Sequence, residues 1–479
     1  MAQVIFAQEL APISVSARHP LIMPQTPQKK QKTSAATSNG DFFADVPPIK
    51  YEGPESTNPL AFKYYNAEEV VHGKKMKDWL RFAVCYWHTW RGMGADIFGL
   101  EGTMTRPWDE GHATELDAAL NRVDVHFEFC KRLGIEYYCF HDRDVSPEGE
   151  TVEQTEAMFD QVADKLAAKQ AETGIKLLWG TSNLFSHKRF MHGGPTNPDP
   201  AVVCMAAAQI KKCLDVTLKL KGENFVMWGG RDGYQTLLNT DYKRENDNYA
   251  HFLKATADYA DSIGFKGQLL LEPKPREPAA HQYNFDAETT LGFLGHYGLT
   301  ERFSINLEAN HGTLAGHTGE HEVEAAHARG KLGSIDANRN ECMLGWDTDM
   351  FPTDPALATY VMKRVIEQGG LQPGGLNFDA KIRRESTDIE DLFIGHINGM
   401  DCYARGLRAA AKLIADGKLN SMVSTRYAGF ESGIGKKFAS GKASLTELAE
   451  AAKASAEPKQ KSGKQETCES VFNRFAYGA

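Results

Sequence analysis

Leu269-Leu270-Leu271-Glu272 begins a stretch in which short apolar runs repeatedly end in acidic residues. The other such runs are Ile305-Asn306-Leu307-Glu308, Gly333-Ser334-Ile335-Asp336, Leu344-Gly345-Trp346-Asp347-Thr348-Asp349 and Leu376-Asn377-Phe378-Asp379. A carboxylate beside a buried strand costs free energy unless its charge is compensated, and six that converged would repel one another. Because bound metal ions would remove that repulsion, the stretch predicts a metal site.

The chain as a whole repeats a strand followed by a helix. Helix-period segments separate most of the apolar runs, and Asp354–Gln368 shows the signals well, with Asp354 as a cap, Pro355 in the first turn and Gly369 as a stop. Eight strands that alternate with helices predict a parallel (β/α)8 barrel, the TIM-barrel class of α/β fold. The predicted strands are Phe82–Tyr86, Ile135–Phe140, Ile175–Trp179, Asn224–Trp228, Gln268–Leu271, Phe303–Leu307, Leu332–Ile335 and Gly375–Phe378.

A barrel gives these acidic residues a common location. The carboxyl ends of all eight strands meet at one rim, so residues far apart in sequence become neighbours around a pocket. The acids expected to line one side of that pocket are Glu272, Glu308, Asp336 and Asp379. Asp347 and Asp349 follow the seventh strand and would reach in from its loop. The alternative is that each acid caps the following helix, but four caps at four strand ends would be an unusual coincidence.

The donor set indicates which metals would bind. Six carboxylates and one nearby imidazole, His311, form an oxygen-rich site suited to Mg²⁺, Mn²⁺ or Co²⁺ rather than Zn²⁺. Two divalent ions come closer to balancing six carboxylates than one ion does, which favours two metals that share a bridging carboxylate. The neighbouring His317, His321 and His327 are expected to serve the loop and its hydrogen bonds.

Composition excludes several other classes of protein. With 479 residues, 42% of them apolar and 24% charged, the chain can bury a sizeable core and is expected to be soluble. No apolar run approaches the ~20 residues of a membrane span. The formal net charge of −9 leaves no basic field that would favour nucleic acid as a partner. Eight cysteines without a C-x-x-C pair predict free thiols and a reduced, intracellular protein.

The chain is expected to divide into four parts. Residues 1–40 are poor in acidic residues and rich in Pro, Gln, Ser and Thr, which predicts a disordered or targeting extension. Residues 41–387 would form the catalytic barrel, 388–453 a helical extension for oligomerisation, and 454–479 a flexible tail. We expect a cytoplasmic protein, with an organelle as the alternative if residues 1–40 direct it there.

Two long motifs resemble the signatures of the xylose isomerase family. They are Phe140-His141-Asp142-Arg143-Asp144-Val145-Ser146-Pro147-Glu148-Gly149 and Leu271-Glu272-Pro273-Lys274-Pro275-Arg276-Glu277-Pro278. Shorter segments around Trp228, Glu308 and Asp347 are also similar to that family. The resemblance extends from about residue 49 to about residue 435, and Tyr51-Glu52-Gly53-Pro54-Glu55-Ser56 resembles the longer, class II form.

The resemblance implies two divalent ions per subunit, most suitably Mg²⁺, with Mn²⁺ or Co²⁺ as alternatives. It implies that Glu308 bridges a structural ion and a second, mobile ion. The implied ligands of the structural ion are Glu272, Glu308, Asp336 and Asp379, and those of the mobile ion are Glu308, His311, Asp347 and Asp349. The positions of these carboxylates at strand ends, or in the loop after the seventh strand, predict the same metal ligands without the resemblance.

Three further residues are candidates for catalysis. His141 ends the second strand, and an imidazole oriented by Asp144 can move a proton between the anomeric hydroxyl and the ring oxygen of a sugar. A His-x-x-Asp pair alone is also typical of a hydrogen-bonded surface pair. Lys274 follows Glu272 between two prolines and can stabilise negative charge on the substrate's O1. It can equally form a salt bridge with the acidic cluster.

Aromatic residues are expected to form the pocket wall. Those that follow strand ends are Trp87, Trp90, Phe98, Phe185 and Trp228. An aromatic wall excludes water and faces the C–H side of a sugar, although most aromatic runs belong to the core. The resemblance implies substrate contacts for Thr181, Phe185 and Trp228, and implies that Phe98 enters the pocket of a neighbouring subunit. Which tryptophan after the first strand lines the pocket stays open.

The resemblance implies an aldose–ketose isomerase of xylose and carbohydrate metabolism, in the pentose shunt, that forms a homotetramer. The implied reaction interconverts D-xylose and D-xylulose, and more slowly D-glucose and D-fructose, by a metal-assisted 1,2-hydride shift after ring opening. No P-loop is present, which favours a sugar without phosphate. The alternatives are another sugar isomerase, a metal-dependent enolising enzyme with Lys274 as base, a metal-dependent phosphodiesterase and a sugar-binding protein without activity.

Overall fold

A computed structural model describes residues 41–478, so the predicted extension 1–40 lies outside the described residues. The predicted barrel is confirmed: eight strands are parallel throughout, and the last pairs with the first to close the ring. The strands are β1 (Phe82–Cys85), β2 (Tyr137–His141), β3 (Lys176–Thr181), β4 (Asn224–Trp228), β5 (Gln268–Glu272), β6 (Phe303–Glu308), β7 (Leu332–Asp336) and β8 (Leu376–Phe378).

The main helices follow the strands in sequence. They are α1 (Glu115–Leu133), α2 (Val152–Thr173), α3 (Pro200–Lys219), α4 (Tyr242–Ser262), α5 (Ala287–His296), α6 (Ala309–Leu314), α7 (Gly319–His327), α8 (Pro355–Glu367), α9 (Ile389–Asp416), α10 (Lys418–Tyr427), α11 (Gly433–Ala439), α12 (Leu445–Lys453) and α13 (Gln465–Ala476). Asp354 caps α8 as predicted, because its side chain accepts a hydrogen bond from the backbone N–H of Ala356 and Pro355 needs no partner in the first turn. No helix within residues 41–478 is long and apolar enough to cross a membrane.

The barrel interior is apolar on one side and polar on the other. Strands β1 to β5 contribute the apolar cluster Ala83, Tyr137, Cys139, Leu178, Trp179, Val226 and Leu270. Strands β6 to β8 instead place Asn306, Ser334 and Asn377 in fully buried positions. Since buried polar groups require hydrogen-bond partners, the polar side of the barrel interior is prepared to support the acids at its rim.

Strand register brings the acids together at the carboxyl end of the barrel. Glu308 is the direct partner of Asp336 across β6 and β7, and Leu271, the residue before Glu272, pairs with Ile305 of β6. All eight cysteines lie in the described part of the chain, and all are free thiols, as their spacing predicts.

The C-terminal region is more ordered than the sequence analysis expects. The long helix α9 packs against α8, and the last helix, α13, packs in turn against α9. The expectation of a flexible tail over residues 454–479 is therefore wrong for Gln465–Ala476, whose Val471 and Ala476 are buried. The cause is that an amphipathic helix gains stability from its apolar face against a neighbour, which the preceding Lys/Ser-rich segment does not reveal.

Candidate active site

The four strand-end acids form one cluster. Glu272, Glu308, Asp336 and Asp379 each offer an oxygen within 4.8 Å of the others. Glu272, Glu308 and Asp336 are buried, and Asp379 is partly exposed. The convergence that the strand-end argument predicts is therefore present, and the alternative of four separate helix caps does not describe this arrangement.

A second cluster shares one of these acids. Glu308 also lies with Asp347 and Asp349 in a group whose oxygens are within 4.8 Å of one another. His311 Nε2 is 3.2 Å from Glu308 Oε2 and 3.3 Å from Asp347 Oδ2. Its other ring nitrogen, Nδ1, is 3.0 Å from the carbonyl oxygen of Pro273. Because that carbonyl can only accept, Nδ1 carries a proton, and Nε2 is the ring nitrogen that faces the cluster.

Crowding changes the proton affinities of these acids. Burial, together with the charges of neighbouring carboxylates, raises the pKa of Glu272 and of Glu308 well above the usual value. The same two causes raise the pKa of Asp336 to about 8. Asp349 behaves oppositely: burial alone would raise its pKa, but Lys381 and His88 hold that pKa well below its usual range. The cluster is thus short of positive charge near Glu272, Glu308 and Asp336.

Four buried asparagines donate their side-chain amides to these carboxylates. Asn306 Nδ2 is 3.0 Å from Glu272 Oε2 and 2.8 Å from Asp336 Oδ2. The others are Asn377 to Asp336, Asn338 to Glu308, and Asn310 to Asp347 and Asp349. An amide orients a carboxylate without adding charge. The roles of these asparagines are not among the predictions from the sequence, although a polar residue inside an apolar strand, as in Ile305-Asn306-Leu307, is a signal that could have identified two of them.

Cationic side chains approach the second cluster. Lys274 Nζ lies 2.5 Å from Asp347 Oδ2, and Lys381 Nζ lies 2.9 Å from Asp349 Oδ2. His88 Nε2 lies 3.1 Å from Asp349 Oδ2 and 3.0 Å from Asp379 Oδ1, so it contacts both carboxylate clusters. Lys274 therefore forms the salt bridge that the sequence analysis left open. His88 and Lys381 are additional site residues, and nothing in the spacing of the sequence indicated them.

His141 and Asp144 form a hydrogen-bonded pair at the end of β2. Asp144 Oδ2 accepts from His141 Nδ1 over 2.9 Å and from the His141 backbone N–H over 2.9 Å. Burial disfavours the charged imidazole, but the Asp144 carboxylate outweighs it and raises the pKa of His141. The pair fixes the ring so that Nε2 is the nitrogen available to a substrate.

Trp87, rather than Trp90, belongs to the site. The ring of Trp87 lies 4.5 Å from that of His141, and its Nε1 donates to Asp379 Oδ1 over 2.9 Å. Trp90 has 0% exposure and donates to His126 Nδ1 in the core. A π-helical turn, Trp87–Arg91, separates the two side chains, and such a turn could not be predicted from spacing.

The remaining predicted substrate contacts differ in position. Phe185 lies 5.4 Å from His141 and 4.6 Å from Trp228, measured between ring centroids, and Lys274 Nζ lies 5.2 Å from the centre of the Trp228 ring. Thr181 donates its hydroxyl proton to the carbonyl oxygen of Val226 in the barrel wall. Phe98 is 78% exposed. Phe185 and Trp228 therefore form part of the wall beside His141. Thr181 uses its hydroxyl within the barrel wall, and Phe98 lies on the surface.

Comparison with known proteins gives consistent matches. The family described as a xylose isomerase-like TIM barrel matches residues 127–349, and the family described as XylA2 C-terminal domain matches residues 423–476. A xylose isomerase of Arabidopsis thaliana is 53% identical over 433 residues, which cover 90% of each chain. One of Bacteroides thetaiotaomicron is 53% identical and covers 91% of this chain and 99% of its own. One of Hordeum vulgare is 49% identical and covers 98% of this chain and 96% of its own.

Proposed function

Since the chain belongs to the xylose isomerase family, we propose that it isomerises aldose sugars to ketoses, with D-xylose and D-xylulose as its main pair and D-glucose as a slower substrate. The observation that carries the proposal is the sharing of Glu308 by two carboxylate clusters on the rim that also holds the His141–Asp144 pair. This conversion needs a group that transfers a proton at the sugar ring and a charged site that binds the sugar's hydroxyl groups. The His141–Asp144 pair would provide the first, and the two carboxylate clusters would provide the second.

The residues of the rim fit two divalent ions. Glu308 Oε2 is buried and has no hydrogen-bond partner among residues 41–478, and raised carboxyl pKa values indicate missing positive charge. Glu272, Glu308, Asp336 and Asp379 would hold one ion, and Glu308, His311, Asp347 and Asp349 the other. Oxygen-rich donors favour Mg²⁺, with Mn²⁺ or Co²⁺ as alternatives. When bound, such ions supply positive charge that stabilises negative charge developing on two sugar oxygens.

His141 is proposed to open the sugar ring. With Asp144 fixed at Nδ1, the Nε2 atom can take the proton of the anomeric hydroxyl and return it to the ring oxygen. The C1–O5 bond then breaks, and C1 becomes an aldehyde. The rings of Trp87 and Phe185, each in a T-shaped contact with the imidazole, would help to exclude water from this step.

Isomerisation is proposed to proceed by a hydride shift. The hydrogen on C2 moves to C1 with its electron pair, O2 loses its proton to form the C2 carbonyl, and O1 gains a proton to become a hydroxyl. Lys274 is proposed to bind O1, and the position of its buried ammonium next to Asp347 and Trp228 supports this role. Its charge would stabilise the negative charge that collects on O1 before that oxygen is protonated.

The enolising alternative requires Lys274 as a neutral base. Burial alone would lower the pKa of Lys274, but the carboxylates of Asp347 and Asp349 raise that pKa above its usual value. An ammonium has no lone pair to accept a proton from C2. As long as no ion neutralises Asp347 and Asp349, this setting keeps Lys274 as an ammonium, and the fate of the C2 hydrogen separates the two routes.

Assembly is proposed to complete the pocket. Ile97, Phe98 and Leu100 form an exposed apolar loop, and the ring of Phe98 lies 5.8 Å from that of Trp346, next to Asp347. Exposed apolar groups of this kind favour an interface. We propose a homotetramer, in which helices α9 to α13 contribute to the contacts between subunits, and a cytoplasmic location.

Ketose formation with and without metal tests the proposal. The protein would be stripped of metal with a chelator, and D-xylulose would be measured from D-xylose before and after adding Mg²⁺, Mn²⁺ or Co²⁺. We expect no turnover without metal and recovery with at least one of the three ions. Turnover by fully stripped protein would contradict the proposal.

A further inference from the structure

Three polar side chains gather outside the rim, where α6 leads into α7. His317 lies in the connection between these helices, and His321 and Glu322 lie in the first turns of α7. Each offers a ligand atom within 4.8 Å of the other two. Asp286, the residue that caps α5, stands beside them, with its Oδ2 3.1 Å from His317 Nε2. None of these residues takes part in the proposed catalytic steps.

Glu322 is the unusual member of this group. It is only 3% exposed, and its Oε2 accepts a hydrogen bond from the backbone N–H of Ala287 over 2.9 Å. Its other oxygen, Oε1, is buried and has no hydrogen-bond partner among residues 41–478. The imidazole nitrogen His317 Nε2 lies 3.9 Å from Oε1, which is too far for a hydrogen bond. A buried carboxylate oxygen without a partner costs free energy unless a cation compensates it.

The two imidazoles lie side by side next to Glu322, each with a ring nitrogen within 4.8 Å of one of its oxygens. Their rings are stacked with centroids 4.4 Å apart. The side chains of His317 and His321 are 31% and 43% exposed, so an ion can reach them from solvent. The oxygen of Glu322 would bind the ion from the buried side. His321 Nε2 lies 4.0 Å from Glu288 Oε2, too far for a hydrogen bond, and so remains available.

We propose that His317, His321 and Glu322, with Asp286 as a fourth donor, bind one transition-metal ion of the Zn²⁺ class. Two neutral imidazoles and two carboxylates balance the charge of a divalent ion, and four donors suit its tetrahedral preference. The site differs in chemistry from the oxygen-rich rim because half of its donors are nitrogen, which favours Zn²⁺ over Mg²⁺.

The ion would brace one ligand of the rim. Glu322 packs so closely on Gly312 that a Cβ there would meet Glu322 Cγ at 2.8 Å. Gly312 is the residue after His311, and both lie in α6. Holding Glu322 in place therefore holds the turn of α6 that presents His311 to the second carboxylate cluster. The ion would act as a structural element rather than as a catalyst.

Metal counting on the full chain tests this site. After chelation, the rim is filled with a large excess of Mg²⁺, Zn²⁺ is added, unbound ions are removed by gel filtration, and Zn²⁺ per chain is measured by mass spectrometry. His321→Ala removes an exposed ligand, and Glu322→Gln keeps the shape of the buried one but removes its charge. His327→Ala is the control, because His327 lies at the other end of the same helix.

We expect His321→Ala and Glu322→Gln each to retain one Zn²⁺ fewer per chain than the wild type, and His327→Ala to retain the wild-type number. Zn²⁺ should also raise the melting temperature of the wild type and of His327→Ala more than that of the other two variants. Equal Zn²⁺ content in all four proteins would overturn the proposal and would mean that His317 serves only as a hydrogen-bond partner of Asp286. Loss of the ion from His327→Ala as well would also overturn it.

Discussion

Asn338 Nδ2 donates a hydrogen bond of 2.7 Å to Glu308 Oε1, so a neutral amide orients the one carboxylate that both clusters share. The same Nδ2 also donates to the carbonyl oxygen of Asp379 over 2.8 Å. Asn338 thereby links Glu308, the proposed bridging ligand, to the backbone of Asp379, another proposed ligand of the first ion. Side chains that orient metal ligands in this way usually contribute strongly to metal affinity.

Replacing Asn338 should therefore weaken metal binding. We expect Asn338→Ala to raise the Kd for Mn²⁺ or Mg²⁺ by about 10- to 100-fold, the usual range for the loss of such a partner. Titration calorimetry on stripped protein measures this directly. Asn248→Ala, an exposed asparagine on α4, is the matched control and should bind as the wild type does. Unchanged affinity in Asn338→Ala would show that Glu308 is held by other contacts.

Metal removal should destabilise the protein, because six crowded carboxylates lose their compensating charge. Scanning calorimetry should show a lower melting temperature after chelation and recovery on addition of Mg²⁺, Mn²⁺ or Co²⁺. The melting temperature of Glu308→Gln should rise much less on addition of metal, because this variant changes a ligand of both clusters. In Asp347→Asn, which changes only the second cluster, the part of the rise that comes from the first ion should remain. Identical melting of stripped and loaded wild type would rule out the two-metal interpretation.

Ring opening and isomerisation should separate in His141→Asn. The variant lacks the Nε2 proton carrier but keeps both carboxylate clusters, so conversion of cyclic D-xylose should slow strongly. An open-chain aldose that cannot cyclise should be isomerised at a rate closer to that of the wild type. The ratio of the two values of kcat/KM is the measurement. If both substrates slow equally, His141 acts in the isomerisation step itself.

Acid stability should depend on the buried His396. Its Nδ1 donates to the carbonyl oxygen of Leu392 over 2.7 Å, and burial among aromatic rings lowers its pKa to about 4 from 6.5. Protons therefore bind the unfolded chain first, and stability falls as the pH drops from 6.5 towards 4. For this residue the loss at pH 5 is about 2 kcal/mol. The free energy of unfolding of His396→Phe should fall less than that of the wild type between pH 7 and pH 5. His251→Phe, which replaces an exposed histidine, should lose as much stability as the wild type does.

Much of the fold follows from local signals in the sequence. Helix α1 begins at Glu115 and ends at Leu133, because Thr114 accepts a hydrogen bond from the Asp117 N–H and Gly134 adopts a φ of 75° that favours glycine. The strand-end acids could be predicted for a similar reason. A parallel barrel has only one rim at the carboxyl ends of its strands, so the topology alone brings those side chains together.

The parts that could not be predicted depend on contacts between distant segments. His88, in the turn after β1, reaches Asp379 after the neighbouring strand β8 and Asp349 in the loop after β7, and Asn310 reaches the loop that carries Asp347. Neither contact leaves a periodic pattern in the sequence. The helix Gln465–Ala476 could not be predicted for a related reason, since its buried face is defined by α9 rather than by its own composition.

In the proposed reaction, hydrogen moves from C2 to C1 without exchange with water. D-Xylose labelled with deuterium at C2 would be converted in ordinary water, and the D-xylulose formed would be analysed by NMR and mass spectrometry. A hydride shift predicts that the label is retained at C1. Loss of the label to solvent would contradict the hydride shift, because it would mean that a base such as Lys274 or His141 removes the C2 hydrogen as a proton.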